Sequence, residues 1–340
     1  MRAIRYDLRV PAASQSDWPA VVDAVRPLRR LSDEEIKQLL EPGEVVAAIE
    51  QAFKADYTSF IFPERQHIDT GDVVFLSMPC YHRRTGKLGI KFVTVNKKAS
   101  ASQPTVQASY LMFDPSSAGP QMWLEANWLT DLRTAATSFV ASTFLARRDA
   151  RVLAIFGTGR QARAHVALFV RLGKFDRLLV CGSSAEKARR FAEGVQTDFK
   201  INAAAADAVQ CAAEADIICT CTTASQPLFD GNRLQPGTHL NLVGAFQPDC
   251  REVDSLTISR ARIVVDTYAG ALREAGDVLI PMHEGKVARE CIAELHEIAS
   301  GTRPARQTAE EITVFKSVGC ALEDLAVAEL IAAKLERTAQ

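Results

Sequence analysis

Apolar positions recur along this chain with two different periods, and the point where one gives way to the other divides it. Ser32 reads as a helix cap, with Glu35 as its capping-box partner and Ile36, Leu39 and Leu40 following on one face. Pro42-Gly43 breaks the chain. A second helix is predicted over residues 44–59, with Val45, Ala48, Ile49, Ala52 and Phe53 on its buried side. From Gln66 to Pro115 the pattern shortens to strands at 73–78, 88–95 and 108–113, with a further strand at 122–125. Strands that succeed one another without helices predict an antiparallel or mixed sheet.

A long helix at 129–146 carries Leu132, Ala136, Phe139, Val140, Thr143 and Phe144 at helical spacing. Beyond it strand and helix alternate: strand 152–156, helix 161–171, strand 177–181, helix 184–195, helix 207–214, strand 217–220, then strands at 240–243 and 263–265. Such alternation predicts a parallel sheet covered on both faces. It ends near Thr302, and a last helix at 319–335 bears Leu322, Leu325, Ala326, Leu330 and Ile331 as an apolar stripe. The expected fold class is α/β, a Rossmann-type parallel-sheet domain beside a smaller α+β domain. Residues 1–29 show no clear periodicity and read as an N-terminal extension.

Composition narrows the partners. At 340 residues, two domains are expected, and 47% hydrophobic with 24% charged residues is ordinary for a globular protein. A net charge of −1 gives no reason to expect nucleic acid or an anionic membrane, and no apolar run is long enough to span one. The N-terminus carries Arg2, Arg5 and Arg9 without an apolar segment behind them, so no secretory signal is read there and a transit peptide is disfavoured. Eight scattered cysteines with no C-x-x-C spacing are expected to be reduced, which implies the cytosol. Six histidines show no metal spacing, so no metal is expected. No Ser-His-Asp or H-E-x-x-H pattern supports a hydrolase.

The firmest motif is Gly157-Thr158-Gly159-Arg160-Gln161-Ala162, between an apolar strand and a helix. Gly157 permits a tight turn, Gly159 lets a pyrophosphate approach the backbone, and Ala162 allows close helix–strand packing at a helix N-terminus that favours an anion. After the second strand the chain reads Cys181-Gly182-Ser183-Ser184-Ala185-Glu186-Lys187, where an NAD site usually places Asp or Glu. Ser183, Ser184, Lys187 and Arg160 suit a 2′-phosphate, so NADP(H) is favoured over NAD(H). Elsewhere Lys91 lies within an apolar strand, Arg133 within Leu132-Arg-Thr-Ala-Ala-Thr-Ser138, and Arg65 after Pro63-Glu64. Together they suggest a carboxylate clamp, because charged hydrogen bonds contribute roughly 1.5–3 kcal/mol each.

With these segments the chain resembles the ornithine cyclodeaminase/mu-crystallin family from Leu31 to the last helix. The resemblance also rests on Met78-Pro79, Gly89-Ile-Lys91-Phe-Val, Cys219-Thr-Cys-Thr222, Val243-Gly-Ala-Phe-Gln-Pro248 followed by Glu252, and Lys316-Ser-Val-Gly-Cys-Ala-Leu-Glu-Asp324. It implies a homodimer joined through a substrate domain built from both chain ends (30–128 and 305–340), with the nucleotide domain at 129–304. It further implies that Arg65, Lys91 and Arg133 hold the α-carboxylate of an amino or imino acid. Thr137, Cys221, Thr222, Val243, Gly244, Val318 and Gly319 are then expected along the cofactor.

One departure matters. Ornithine cyclodeaminases carry an Asp in a Gly-Gly-Asp-Cys-Pro-Gly segment, where this chain has Gly244-Ala245-Phe246-Gln247-Pro248. Phe246 can neither accept a proton nor pair with an ammonium. The expected activity is therefore reduction of a cyclic ketimine carboxylate, Δ1-pyrroline-2-carboxylate or Δ1-piperideine-2-carboxylate, to L-proline or L-pipecolate. Phe246 would pack on the ring, and Lys91 would help supply a proton through water. The alternatives are ornithine cyclodeamination, an alanine-type amino-acid dehydrogenase, opine-type condensation, or a mu-crystallin-like NADPH-dependent binder without catalysis.

Overall fold

The computed structural model describes residues 28–55, 57–98, 106–114 and 119–338. The expected extension lies outside them except at its end, where Arg29–Leu31 forms β1. Ser32 caps the helix Asp33–Leu39 and Glu35 closes the capping box, as its spacing predicts. The next helix runs Pro42–Ala55, so Pro42 opens it rather than breaking the chain. Proline lacks the N–H that a first helical turn leaves unpaired anyway, and its φ is already helical. Residues 57–59 then form a short 3-10 turn where helix was expected.

The small domain is built on β2 (Phe60–Ile61), β3 (Gln66–Asp69), β4 (Val73–His82), β5 (Leu88–Asn96), β6 (Val106–Asp114) and β7 (Gly119–Glu125). Among the described residues these make a seven-stranded sheet of order β1-β7-β6-β5-β4-β2, with β3 also on β4. Pairing is antiparallel except between β1 and β7. The period of two sorts the side chains. Met78, Cys80, Lys91, Tyr110, Met112 and Leu124 are buried on one face, which packs against the helix Ala321–Thr338. On the other, Phe75 and Phe92 are 46% and 47% exposed.

The large domain contains β8 (Val152–Phe156), β9 (Arg177–Cys181), β10 (Asn202–Ala205), β11 (Ile217–Thr220), β12 (His239–Leu242), β13 (Ala261–Val265), β14 (Ile292–Glu294) and β15 (Ile312–Lys316). Among the described residues they form an eight-stranded parallel sheet of order β10-β9-β8-β11-β12-β15-β13-β14. Strand order reverses beside β8, which opens a crevice at the carboxyl ends of β8 and β11. Residues 305–340 were expected to return wholly to the substrate domain. Instead they first insert β15 between β12 and β13, and only then supply the helix Ala321–Thr338 to the small domain. The helix Asn127–Leu145 packs against elements of both domains, including the helices Pro42–Ala55 and Arg160–Leu172, and joins them.

Candidate active site

The turn after β8 has the geometry its glycines predict. Gly157 takes φ +106°, where side chains are strained, and a Cβ there would run into the carbonyl of Cys221. Gly159 caps the helix Arg160–Leu172, and the space its Cβ would take is open. A helix N-terminus presents N–H groups without intrahelical partners, so this open edge fits a pyrophosphate. Thr158 places its methyl beside Gly182. The Arg160 guanidinium is held by Asp131 at 2.7 Å, and Gln161 donates to the same carboxylate at 2.9 Å. These two side chains tie the turn to the helix Asn127–Leu145.

At the end of β9, Lys187 Nζ stands 3.3 Å from Ser183 Oγ, and Ser184 caps the following helix by accepting from the Lys187 N–H. Glu186 is exposed and pairs with Arg190 one turn on, so it does not face the turn as a ribose ligand would. His165 is fully buried between Ser138 Oγ (3.0 Å) and the Gln161 carbonyl (2.8 Å), which makes it a structural rivet between two helices. Thr137 is buried as well, and its hydroxyl donates to the Arg133 carbonyl.

The loops after β11 and β12 hang on one carboxylate. Buried Glu252 accepts from Thr220 Oγ1 (2.7 Å), the Thr222 N–H and Oγ1 (both 2.8 Å) and the Gly244 N–H (2.7 Å). Its own N–H donates to Asp277, whose carboxylate meets Lys316 Nζ at 3.0 Å. Lys316 ends β15 and also donates to the Ala245 carbonyl. Burial pushes the Glu252 carboxyl up, while Lys316 opposes it. Neither Asp277 nor Lys316 is marked out by its neighbours in the sequence. The available signal was a charge at the end of an apolar run, which is conspicuous only once the run is known to be a central strand.

Two of the three cations of the expected clamp meet the turn after β15, and the third lies against the helix that follows it. Arg133 is 5% exposed, and its guanidinium packs on Gly319, whose φ is +82°. A Cβ on Gly319 would come within 2.7 Å of Arg133 Nη1. Arg65 donates to the Val318 carbonyl at 3.0 Å. Lys91, 1% exposed, lies 2.8 Å from both oxygens of Asp324. Each cation has a carboxylate partner: Arg133 pairs with Glu323 and shares Asp324 (3.1 Å) with Lys91, and Arg65 pairs with Glu274. Burial pulls the Lys91 ammonium down to about 8 and the Arg65 guanidinium down to about 10. Burial acts on Arg133 too, but Asp324 and Glu323 outweigh it and hold that guanidinium above its usual range. Asp266 fixes the turn itself by accepting from the Val318 and Gly319 N–H groups at 2.7 and 2.6 Å. Glu323 accepts from the Cys320 N–H ahead of the last helix, and it and Asp324 are also the counter-ions; Glu274 and Asp266 carry no signal in the sequence.

Arg65, Glu274, Met78, Thr267, Val318 and Gly319 line an open cleft of about 450 Å³. Lys91 and Arg133 stand behind its wall. Phe246 is 42% exposed on the loop after β12 and is not one of the residues lining this cleft.

This is a Rossmann-type α/β protein whose second domain sets buried cations against the carboxyl edge of the parallel sheet. It belongs to the ornithine cyclodeaminase/mu-crystallin family, whose model matches residues 29–339. A Δ1-pyrroline-2-carboxylate reductase of Bacillus cereus is 37% identical over 312 residues, 88% of this chain and 94% of that protein. The ketimine reductase mu-crystallin of Rattus norvegicus is 38% identical over 255 residues, covering 75% and 78%. Among solved structures, Thermococcus litoralis Δ1-pyrroline-2-carboxylate reductase with NADH and L-proline superposes with a TM-score of 0.87 at 34% identity. The match covers 92% of this chain and 98% of that one.

Proposed function

We propose that this protein is an NAD(P)H-dependent ketimine reductase that converts Δ1-pyrroline-2-carboxylate or Δ1-piperideine-2-carboxylate to L-proline or L-pipecolate. The observation that carries the reading is the shared Val318-Gly319 turn. Arg65 touches it from the small domain and Arg133 from the helix that joins the two domains, and it is the direct continuation of a central strand of the parallel sheet. A carboxylate at this turn would therefore lie at the sheet's carboxyl edge, where dinucleotides bind in such folds.

When bound, the reduced nicotinamide supplies a hydride to C2 of the protonated imine, and the C=N electron pair stays on nitrogen. The residues of this chain do the positioning. Arg65 takes the substrate carboxylate in the cleft, while Lys91 and Arg133 add positive potential behind it and Lys91 stands as a proton relay through water. Catalysis rests chiefly on fixed geometry and exclusion of solvent. Gly157, Thr158, Gly159, Arg160 and Gln161 would seat the pyrophosphate, and Thr137, Cys221, Thr222, Val243 and Gly244 the nicotinamide half. Ser183, Ser184 and Lys187 at the end of β9, with Glu186 turned to Arg190, support NADP(H) over NAD(H). Phe246 remains the reason to favour ring reduction over ornithine cyclodeamination, because it leaves that position without a carboxylate.

The homodimer belongs to the same proposal. The outer face of the seven-stranded sheet presents Ile68, Phe75, Leu88 and Phe92, each at least 38% exposed, on strands whose inner face is already covered. A sheet apolar on both faces calls for a second layer, which another copy of the chain supplies.

The test is NADPH and NADH oxidation with both cyclic imines, beside ornithine with NAD and pyruvate with ammonium. Imine-dependent oxidation is expected. Proline and ammonia from ornithine would refute the Phe246 argument, and pyruvate-dependent turnover alone would make the protein an amino-acid dehydrogenase. Tight NADPH binding without turnover of any of these would leave a binder.

A further inference from the structure

Four buried carboxylates stand around Arg65, Lys91 and Arg133, and they are not equivalent. Asp266 accepts four hydrogen bonds, from the Thr267, Val318 and Gly319 N–H groups and Ser317 Oγ. Glu323 is committed to Arg133, and Asp324 to Lys91 and Arg133. All three are fully buried behind the cleft. Glu274 differs on each count. It lines the cleft, and its partners are the side chains of Arg65 and of His67, whose Nε2 lies at 3.4 Å. Burial together with Arg65 and Arg273 pulls the His67 imidazole down, so it faces Glu274 as a neutral ring. Nearby Arg273 is occupied by exposed Glu64 at 2.6 Å.

Arg65 thus presents itself to a substrate already engaged by a carboxylate. A substrate carboxylate that takes the Arg65 guanidinium removes the only charged partner described for Glu274. A buried carboxylate left without a cation is strongly unfavourable, so the exchange proceeds only if a new cation arrives with the substrate. A ketimine carboxylate brings one, because its protonated ring nitrogen is bonded to the same carbon that bears the carboxylate. We propose that Glu274 is a specificity-determining residue that receives the cationic N–H of the substrate, and of the product ammonium, when the substrate carboxylate displaces it from Arg65. The cleft is then selective for zwitterions. Phe246 leaves the cyclodeaminase position without a charge, and Glu274 supplies a carboxylate from a different element, the end of the helix Tyr268–Glu274.

The inference rests on the ketimine reading for the identity of the substrate, and a binding measurement separates the two. Two ring carboxylates are titrated calorimetrically into the protein with NADP+ present: L-proline, cationic at nitrogen, and pyrrole-2-carboxylate, which has the same ring and carboxylate but a neutral nitrogen. In Glu274→Gln, L-proline is expected to weaken at least tenfold. Pyrrole-2-carboxylate should stay within threefold of wild type or tighten, because Arg65 has been freed. Glu274→Asp should recover part of the L-proline affinity. Equal weakening of both ligands would reduce Glu274 to a prop for Arg65 and overturn the proposal, as would unchanged L-proline binding or wild-type protein that binds neither. Wild-type protein that binds both but turns over no imine would sink the ketimine reading, and the ratio of the two affinities would still decide the role of Glu274.

Discussion

Lys91 and Asp324 form a pair whose two halves should respond unequally to removal. Lys91 Nζ lies 2.8 Å from both carboxylate oxygens, with the side chains 1% and 0% exposed. At 2.8 Å and an effective dielectric of about 20 the attraction is about 6 kcal/mol, much of it offset by desolvation of the two ions. Deleting the anion by Asp324→Leu leaves the ammonium buried without a carboxylate, because Glu323 is already committed to Arg133. That variant should lose about 3–5 kcal/mol. Deleting the cation by Lys91→Met leaves Asp324 with Arg133 Nε at 3.1 Å, so the loss should be smaller, about 1–2 kcal/mol. The double variant should recover most of the difference, giving a coupling energy of about 3 kcal/mol. Urea unfolding followed by tryptophan fluorescence measures all four corners. Lys91→Met should nonetheless lower kcat/KM by about 100-fold or more, from loss of the positive charge behind the cleft. If Lys91→Met proves as unstable as Asp324→Leu, or the coupling is under about 0.5 kcal/mol, the argument for a desolvated, partner-dependent ammonium fails.

Three further outcomes are expected. Gly319→Ala puts a Cβ 2.7 Å from Arg133 Nη1 at φ +82°, so Arg133 must move. Steady-state kinetics should show kcat/KM down at least about tenfold, against a backbone strain cost of about 1–3 kcal/mol in thermal melts. Lys187→Ala should raise KM for NADPH about 10- to 100-fold and leave NADH nearly unchanged, since a phosphate contact is worth about 1.5–3 kcal/mol; equal effects on both would reject the 2′-phosphate assignment. Burial holds the His165 imidazole down at about 4 and His239 at about 3, both from 6.5. Their folded values lie below the unfolded one, so between pH 6.5 and about 4 the unfolded chain binds more protons and stability falls as pH falls. Each contributes up to about 1.4 kcal/mol per pH unit, and melting curves from pH 7 to 4.5 should be shallower for His239→Asn by about that amount.

What the amino-acid order decided alone is local. The Gly157 turn requires a positive φ at one residue, an apolar strand before it and a helix after it, all within about a dozen positions. The capping box at Ser32 and Glu35 and the bounds of β8, β9 and β11 are legible for the same reason. So is the choice of Lys91, Arg133 and Arg65, because a cation among apolar or small residues stands out by composition. The counter-ions were not legible. Asp324 lies 233 residues from Lys91, and Glu274 lies 209 from Arg65. Written in sequence, Glu323-Asp324 looks like any acidic helix start, since negative charge there suits the helix dipole. Only packing of that helix on β4 and β5 turns the two carboxylates inward. The placement of β15 is equally a tertiary decision: a short apolar run near the C-terminus fits either domain until hydrogen bonding seats it between β12 and β13. Charge compensation and strand insertion both depend on groups distant in the chain meeting in a dry interior, where an unpaired ion or an unpaired backbone group is costly. That requirement leaves the Gly157 turn with the geometry its glycines predict and gives each of Arg65, Lys91 and Arg133 a carboxylate partner from a distant part of the chain.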